Sequence, residues 1–595
     1  MSYSNSYPTQ RATLNLDFAN GGDQLDSRLT YTRSSTGTYM SSEKALSSEN
    51  LLLQSQDFDT TWDSVGLSSR SGGNADPAGG TTAHRFIEDS SSATHRVYQT
   101  VSSAGKTSLT VYAKQAVGTR YLALKVSTGS GGPYDWVVAT YDLAGGTPAM
   151  TTGTGATSIA KSSAQTLSGG GFYKCTLTVE SSGGGVNVSM TSVTTPSPAN
   201  YGHIGYTGDG ASAIDVAFSS LNSTGATDYN ATTTQIHREF APTLKTASAD
   251  APRFEYDPIT GNAEGLLVQS QATNSYPNSS DMTGTAGART NIDSNVAVGP
   301  TGGLTADAVR LDSTNSNDHY KDYSYTAAAS TVYTFSVYVK AAGLSYICIR
   351  PKVNFTATPY IFFNLSTGAV TGGDGVAESV GNGWYRCSVK ATSSGATTST
   401  FRLYVTDNGS TTTVATGDSY RAVLGTGLQV EASSAPSSLI STSGASATRA
   451  ADVCTLVSEP LLDNGSGALV TEYDMQSAGE TSFVLHAERS VGATNSGGVS
   501  VTNKYLTVNG TYEDIGSTSS NVFHKVAASW ENGSQKISRD GGAVAEDTAT
   551  VIPSGVDTLH IGTRQDGGES VNGHIKSIAI YSEPLTSTNL TTLSQ

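Results

Sequence analysis

The sequence predicts an all-β chain built of tandem two-sheet sandwiches. Three observations carry that reading. Alternation of apolar and polar residues recurs from end to end, and no stretch keeps helical periodicity beyond a few turns. Only 14% of the 595 residues are charged, against about 25% in an average domain, and Gly, Ser and Thr fill the difference. Thr and aromatic residues suit a pleated, half-buried strand, while Gly, Asn and Asp supply turns. The third observation is that one unit occurs twice. Asn50–Asp57 is echoed by Asn274–Asp281, and Pro77–Ala83 with Asp89 by Pro300–Ala306 with Asp312. Leu109-Thr-Val-Tyr-Ala-Lys114 returns as Phe335-Ser-Val-Tyr-Val-Lys340, and Tyr141-Asp-Leu143 as Phe363-Asn-Leu365. Gly171-Phe-Tyr-Lys-Cys-Thr-Leu177 returns as Gly383-Trp-Tyr-Arg-Cys-Ser-Val389. Five matches in one order mark a duplicated domain, with a period far too long for a solenoid. A disordered chain is excluded by 29 Tyr, 14 Phe and many alternating Val, Leu and Ile positions, enough for several cores.

In chain order, residues 1–46 form a leading β segment. Leu14–Ala19 and Leu29–Met40 alternate about a Gly-Gly-Asp turn. Residues 47–235 are repeat one, with strand signals at Ser108–Ala113, Arg120–Val126, Trp136–Tyr141, Phe172–Val179 and Ile214–Phe218. A connector spans 236–272. Repeat two covers 273–454, with matching signals at Thr334–Val339, Leu344–Ile349, Tyr360–Phe363, Trp384–Val389 and Leu428–Val430. About eight antiparallel strands at this spacing make a jelly roll. Residues 455–595 alternate too, but unlike the repeats, and read as a second sandwich type.

A net charge of −16 argues against nucleic-acid binding, which needs a basic footprint, and against anionic membrane surfaces. No apolar run is long enough to span a bilayer, so no membrane insertion is expected. Met1–Pro8 lacks the basic-then-apolar pattern of a signal peptide, which predicts synthesis in a cytoplasm without export by that route. Four cysteines make no disulfide framework in so long a chain. Cys175 and Cys387 fall at equivalent places in the repeats, and Cys348 and Cys454 sit in apolar strands, so all four read as core residues.

The third segment resembles the laminin-G-like, concanavalin A-like jelly rolls. The carrying residues are His524–Trp530, Arg539-Asp-Gly541, Leu559–Gly562 and Gly573–Tyr581 before Glu583-Pro-Leu585. That family often binds glycans, sometimes with calcium. No calcium site matches residue by residue, and Asp540 reads as a hairpin-turn residue before Gly541. The two repeats look like jelly-roll carbohydrate-binding modules, on the strength of Trp384–Val389 and the Gly/Asn turn before it. Four further stretches resemble phage tail fibre and other virion-surface proteins: Thr32–Tyr39, Ala251–Gly261, Gly265–Asn274, and Leu428–Glu431 leading to Ala447–Asp452. In that pattern the first two lie close together. Here repeat one separates them, so repeat one is expected to be inserted into a small subdomain in which 1–46 pairs with 236–272.

Chemistry is sparse. Glu88, Asp89 and Asp312 stand at equivalent strand ends and read as turn features rather than a glycosidase pair. No nucleophile elbow or phosphate loop occurs. Of nine His, His84, His95, His203, His237 and His319 show no ligand spacing, so neither a metal nor a cofactor is expected, and the chain is not expected to be an enzyme. Sugars stack on exposed aromatic rings flanked by polar groups. Tyr134-Asp-Trp136, after Gly131-Gly-Pro133, is the candidate glycan site, with a core role for Trp136 as the bland alternative. Trp62, Trp384 and Trp530 read as packed residues. The resemblances imply a phage virion protein, a tail fibre or receptor-binding component touching a host-cell glycan. The other readings are a structural decoration protein of capsid or tail and, less favoured, a polysaccharide depolymerase. Other virion proteins are its expected partners, and a homotrimer its expected assembly.

Overall fold

The computed structural model describes residues 11–595 except 104, 129–134, 153–158, 170, 182–184, 197–204, 420, 458–464, 477–481, 489–498, 510, 517, 549–555, 557 and 565–567. Nearly everything described is strand, coil or turn, with one helix, Ser587–Leu593. Three large apolar clusters form, one in each repeat and one in the C-terminal sandwich.

The repeats share one topology. In repeat one, Gly105–Val117 lies between the Cys175 strand, Phe172–Ser181, and Ala213–Asn222. In repeat two, Val332–Ala342 lies between the Cys387 strand, Trp384–Thr392, and Ala422–Glu431. Cys175 faces Val111 and Cys387 faces Val337, both cysteines fully buried. Each of these sheets packs on a second one. In repeat one that sheet runs Pro148–Thr152, Trp136–Asp142, Tyr121–Thr128, Gly185–Val193, His95–Ser102, Asp63–Val65. In repeat two the order is Ala286–Ala288, Asn317–Thr326, Thr398–Thr406, Tyr346–Val353, Ile361–Asn364, Val370–Thr371.

Asn50 and Asn274, which open the duplicated unit, explain their own recurrence. Each is fully buried. The Asn50 amide donates to the Ser219 and Asn230 carbonyls and accepts from the Leu52 and Leu221 N–H groups. Asn274 donates to Leu428 and Ile440 and accepts from Tyr276 and Val430. One side chain thus satisfies four buried backbone groups where the repeat begins and ends.

The C-terminal sandwich is not made of the C-terminal segment alone. Leu14–Asp17 and Ala263–Val268 pair along one edge of Gly573–Tyr581. Leu29–Thr32 pairs with Val453–Val457 in the facing sheet. Leu14, Leu16, Tyr31, Phe254 and Leu266 are buried in the same cluster as Trp530 and Ile578. The leading segment therefore divides. Its first two strands complete the C-terminal sandwich, because their Leu and Tyr side chains alternate inward there. Only Gly37–Asn50 pairs with the connector, with His237–Ala247, as a long two-stranded stem. Both repeats are insertions into one sandwich.

The chain leaves and re-enters that sandwich at a single buried node. Asp452, fully buried, accepts from Tyr31 Oη at 2.5 Å, Arg33 Nη1 at 3.1 Å and the Gln269 backbone N–H at 2.8 Å, and from Arg253 Nη2. Arg449 stands 3.9 Å away. Arg33 also donates to the Ser248 carbonyl, and Arg253 to the Thr38 carbonyl and Ser438 Oγ. Burial pulls the Asp452 carboxyl up, but Arg253, Arg449, Tyr31 and Arg33 outweigh it and hold its pKa below the usual carboxylate value.

Removing one member of such a buried pair strands the others, at about 3–5 kcal/mol. Asp452→Ala is expected to lower the calorimetric transition of the C-terminal sandwich and leave those of the repeats nearly in place. Because the folded pKa is depressed, the Asp452 contribution is full above the unfolded value, about 3.9, and lost as pH falls below it. Asn274→Ala leaves four backbone groups unpaired and is expected to destabilise repeat two by about 2–4 kcal/mol in denaturant unfolding.

Candidate functional site

Each sandwich repeat has two outward faces. In repeat two, one of them is covered. Met40 and Leu244 of the stem pack on Ala306, Tyr338, Trp384 and Leu424. The opposite face is built by alternation along three strands. In Tyr346–Val353, Ile347 and Ile349 turn into the core while Cys348, Arg350 and Lys352 turn out. In Thr398–Thr406, Phe401, Leu403 and Val405 are core, and Arg402 and Tyr404 turn out. Tyr320 and Asp322 lie opposite Tyr404 and Arg402 in the register.

These side chains interlock. Arg402 donates twice to Asp322, from Nε at 2.6 Å and Nη2 at 2.7 Å, and its guanidinium lies 3.3 Å from the Tyr320 ring centroid. Arg350 sits 4.3 Å from the Tyr360 ring centroid and donates to its hydroxyl at 2.6 Å. Tyr404 is buried between Tyr320 and Tyr360, with centroids 5.7 and 5.9 Å away. Burial lowers the pKa of Arg402, but Asp322 and Tyr404 outweigh it and the net shift is upward. Burial raises Tyr404 despite the nearby guanidiniums. Both groups therefore keep their neutral-pH charge states. Tyr360 remains 40% exposed, with Tyr320, Arg350 and Lys352 partly exposed beside it. The result is a rigid aromatic platform ringed by donors. Three cations, Arg350, Lys352 and Arg402, face two carboxylates on it, Asp322 and, at its margin, Asp318, in a chain of net charge −16.

Of the residues singled out from the sequence, Tyr134 lies outside those described. Trp136 opens its strand on the equivalent sheet face of repeat one. It is 7% exposed, packed with Ala123, Val138 and Val193, with Lys125 Nζ 6.0 Å from its ring. Burial, then Arg96, brings Lys125 down to about 8, so that face is desolvated. A stacking platform needs an open ring, which Trp136 lacks. Trp62, Trp384 and Trp530 are buried. All four cysteines are buried and free, and burial pushes the Cys348 and Cys454 thiols up to about 12, too high for reaction at neutral pH. Glu88 is buried and held by Arg120 at 2.6 Å, and Asp312 by His319 at 3.2 Å. Asp540 occupies a turn at φ 52° and pairs with His524 at 2.7 Å.

The tyrosine platform escaped sequence reading because its members come from separate strands. The available signal was the outward face of Tyr346–Val353, where Arg and Lys replace the Ser and Thr usual in this chain.

A cavity of about 370 Å³ lies between the repeats, lined by Tyr112, Phe172, Lys174, Asp228, Arg310 and Lys340, among others. Asp293 pairs with Arg310 there at 3.1 Å, and Asp228 faces Lys340 and Lys174. Paired charges of this kind suit a joint between repeats.

These features define a multi-domain protein of β-sandwiches with an open aromatic face on repeat two. Residues 457–591 match the concanavalin A-like lectin/glucanases superfamily, laminin G type, and carry that fold. Among solved structures, the chain is similar to the Ruminococcus gnavus IT-sialidase CBM40 bound to alpha2,3 sialyllactose, at 16% identity over 22% of this chain and 83% of that one, TM-score 0.19. It is also similar to the CBM22-1-CBM22-2 tandem domain of Paenibacillus barcinonensis Xyn10C, at 10% identity over 66% and 100%, TM-score 0.18. A third is Trypanosoma rangeli sialidase with the inhibitor DANA, at 10% identity over 98% and 97%, TM-score 0.21. No curated protein matches the chain.

Trp136→Ala is expected to act on stability. Truncating a buried Trp costs about 3–5 kcal/mol, so repeat one should unfold at lower denaturant while glycan binding by the folded protein is unchanged.

Proposed function

We propose that this chain is an adhesion component of a phage virion, a tail fibre or receptor-binding protein, and that repeat two holds its glycan site. The observation that carries the glycan site is the open platform of Tyr320, Arg350, Lys352, Tyr360 and Arg402, on the face of repeat two that the stem leaves uncovered. Tyr360 offers ring surface for the apolar side of a sugar, and the guanidinium and ammonium groups offer hydrogen bonds that fix its orientation. Because cations outnumber carboxylates there, the ligand class is a glycan carrying carboxylate or sulfate groups. The virion role rests on the resemblance of Thr32–Tyr39, Ala251–Gly261 and Ala447–Asp452 to virion-surface proteins.

The test is a glycan array and a host-cell binding assay on the full chain, with Tyr360→Ala and Arg350→Ala beside it. Saturable binding to acidic glycans, weakened about tenfold or more in each variant, is the expected result; tenfold corresponds to about 1.4 kcal/mol. Binding that persists unchanged in both variants removes the site from repeat two. No binding to any glycan or cell by folded protein would favour a structural decoration role.

A further inference from the structure

A second cluster lies where the connector hairpin joins the C-terminal sandwich. His574 is buried on the Gly573–Tyr581 strand. Its Nε2 lies 2.8 Å from Glu255 Oε2 and 3.7 Å from Glu264 Oε2. One atom from each of Glu255, Glu264 and His574 falls within 4.8 Å of the others. We propose that Glu255, Glu264 and His574 bind a divalent transition metal of the zinc class, which ties the connector hairpin to the C-terminal sandwich.

Local structure brings the three together. Glu255 opposes Gly265 and Tyr256 opposes Ala263, so Glu264 is an extra residue in the hairpin, a bulge. Gly265 takes φ 104°, a conformation open to glycine, and any Cβ there would lie 2.3 Å from the Ile575 carbonyl oxygen. The bulge turns the Glu264 carboxylate to the side that Glu255 occupies. The Val268 end of the same strand pairs with Gly573, next to His574.

The other ring nitrogen is also set. His574 Nδ1 lies 3.0 Å from Asp474 Oδ1, which accepts the His574 backbone N–H at 2.6 Å. A Cβ at position 573 would lie 2.4 Å from the Asp474 carbonyl oxygen, so glycine there is what lets Asp474 come so close. A carboxylate on the far nitrogen fixes the tautomer of a metal-ligating histidine and leaves Nε2 as the electron-pair donor. Asp474 is thus a positioning residue. Glu255 is oriented in the same way, since its Oε1 accepts the Met40 backbone N–H at 2.7 Å.

Charge points in the same direction. Among the described residues, His574 is the sole ion-pair partner of Glu255, Glu264 and Asp474. Lys576, on the same strand as His574, also acts on Asp474, so Glu255 and Glu264 are the two carboxylates that share one imidazole, and a dication between them adds the positive charge they lack. One imidazole nitrogen with two carboxylate oxygens suits zinc, cobalt or manganese, whereas calcium takes six to eight oxygen ligands. Glu264 keeps 26% of its side chain exposed, which leaves a path for the ion and for water to complete the coordination.

The experiment is metal analysis of the full chain, stripped with chelator and then dialysed against Zn²⁺, with Glu264→Gln and Asp474→Asn alongside. Glu264→Gln is conservative at a partly exposed position and keeps the fold testable. The expected result is one Zn²⁺ per chain, a higher thermal midpoint on metal addition, and loss of both in Glu264→Gln. Asp474→Asn is expected to weaken Zn²⁺ about 10- to 100-fold, as loss of such a partner does elsewhere. Cobalt substitution should give the visible bands of a site with nitrogen and oxygen ligands. A wild-type chain that takes up no stoichiometric metal, or a thermal shift that survives in Glu264→Gln, would overturn the proposal and leave His574 as an imidazolium paired with its carboxylates.

Discussion

The architecture depends on the buried carboxylate of Asp452. A lone carboxylate in a protein interior is costly, and three guanidiniums without one are worse. Together, with Tyr31 and a backbone N–H, they are mutually satisfied. What matters is where the members come from. Arg33 follows the strand after which the chain departs for repeat one, and Arg253 precedes the strand on which it returns. Gln269 follows the strand that leads out to repeat two, and Asp452 precedes the strand that leads back. All four crossings between the sandwich and its insertions meet at one charge. The node selects the arrangement in which both insertions leave from one place, because any other strands a buried charge.

This arrangement has consequences for folding and for display. Leu14–Asp17 pairs with Gly573–Tyr581, so the sandwich cannot close until the last strand of the chain exists. Each repeat has its own core and its own Asn-centred closure, and can form earlier. Contacts of such long sequence separation are slow to form, and independently folding insertions reduce the length of loose chain that must be closed. In the finished molecule the stem covers one face of repeat two and leaves the other free. The same strand, Gly37–Asn50, supplies Met40 both to that packed face and to Glu255, so the stem links the repeats to the histidine cluster.

Much of this was legible in the sequence, and the limits are instructive. The duplication was readable because the recurring residues do the same physical job twice: Asn50 and Asn274 each satisfy four backbone groups, and Cys175 and Cys387 fill equivalent core positions. The resemblance to virion proteins was carried by stretches containing Arg33, Arg253, Arg449 and Asp452, which are the node itself. The pattern could be seen, but not the contact, since Arg33 and Asp452 are 419 residues apart. The division of the leading segment was hidden for the same reason. Leu14–Asp17 alternates as any edge strand does, and nothing local says which sheet it joins. Trp136 stood out as an aromatic residue that opens a strand after a Gly-Gly-Pro loop, whereas the open face of repeat two uses Tyr320 and Tyr404 from two strands and Tyr360 from just before a third.

Comparison of the two sheet faces shows how one copy came to differ. His95 lies opposite Ser192, and His319 opposite Val405, which aligns the repeats. Arg96, Thr191, Ser189 and Lys125 then stand where repeat two has Tyr320, Tyr404, Arg402 and Arg350. In repeat one Thr140 donates to the Pro196 carbonyl, Trp136 is buried, and the lysine is desolvated. In repeat two four exchanges, Arg to Tyr, Thr to Tyr, Ser to Arg and Lys to Arg, convert the same positions into an interlocked platform, while the inward positions stay apolar, with Leu122, Leu124, Val188 and Met190 answered by Ile347, Ile349, Phe401 and Leu403. A strand with a period of two keeps its core and its surface on separate positions. That separation lets the outer faces of the two repeats differ in chemistry while the core positions beneath them stay apolar.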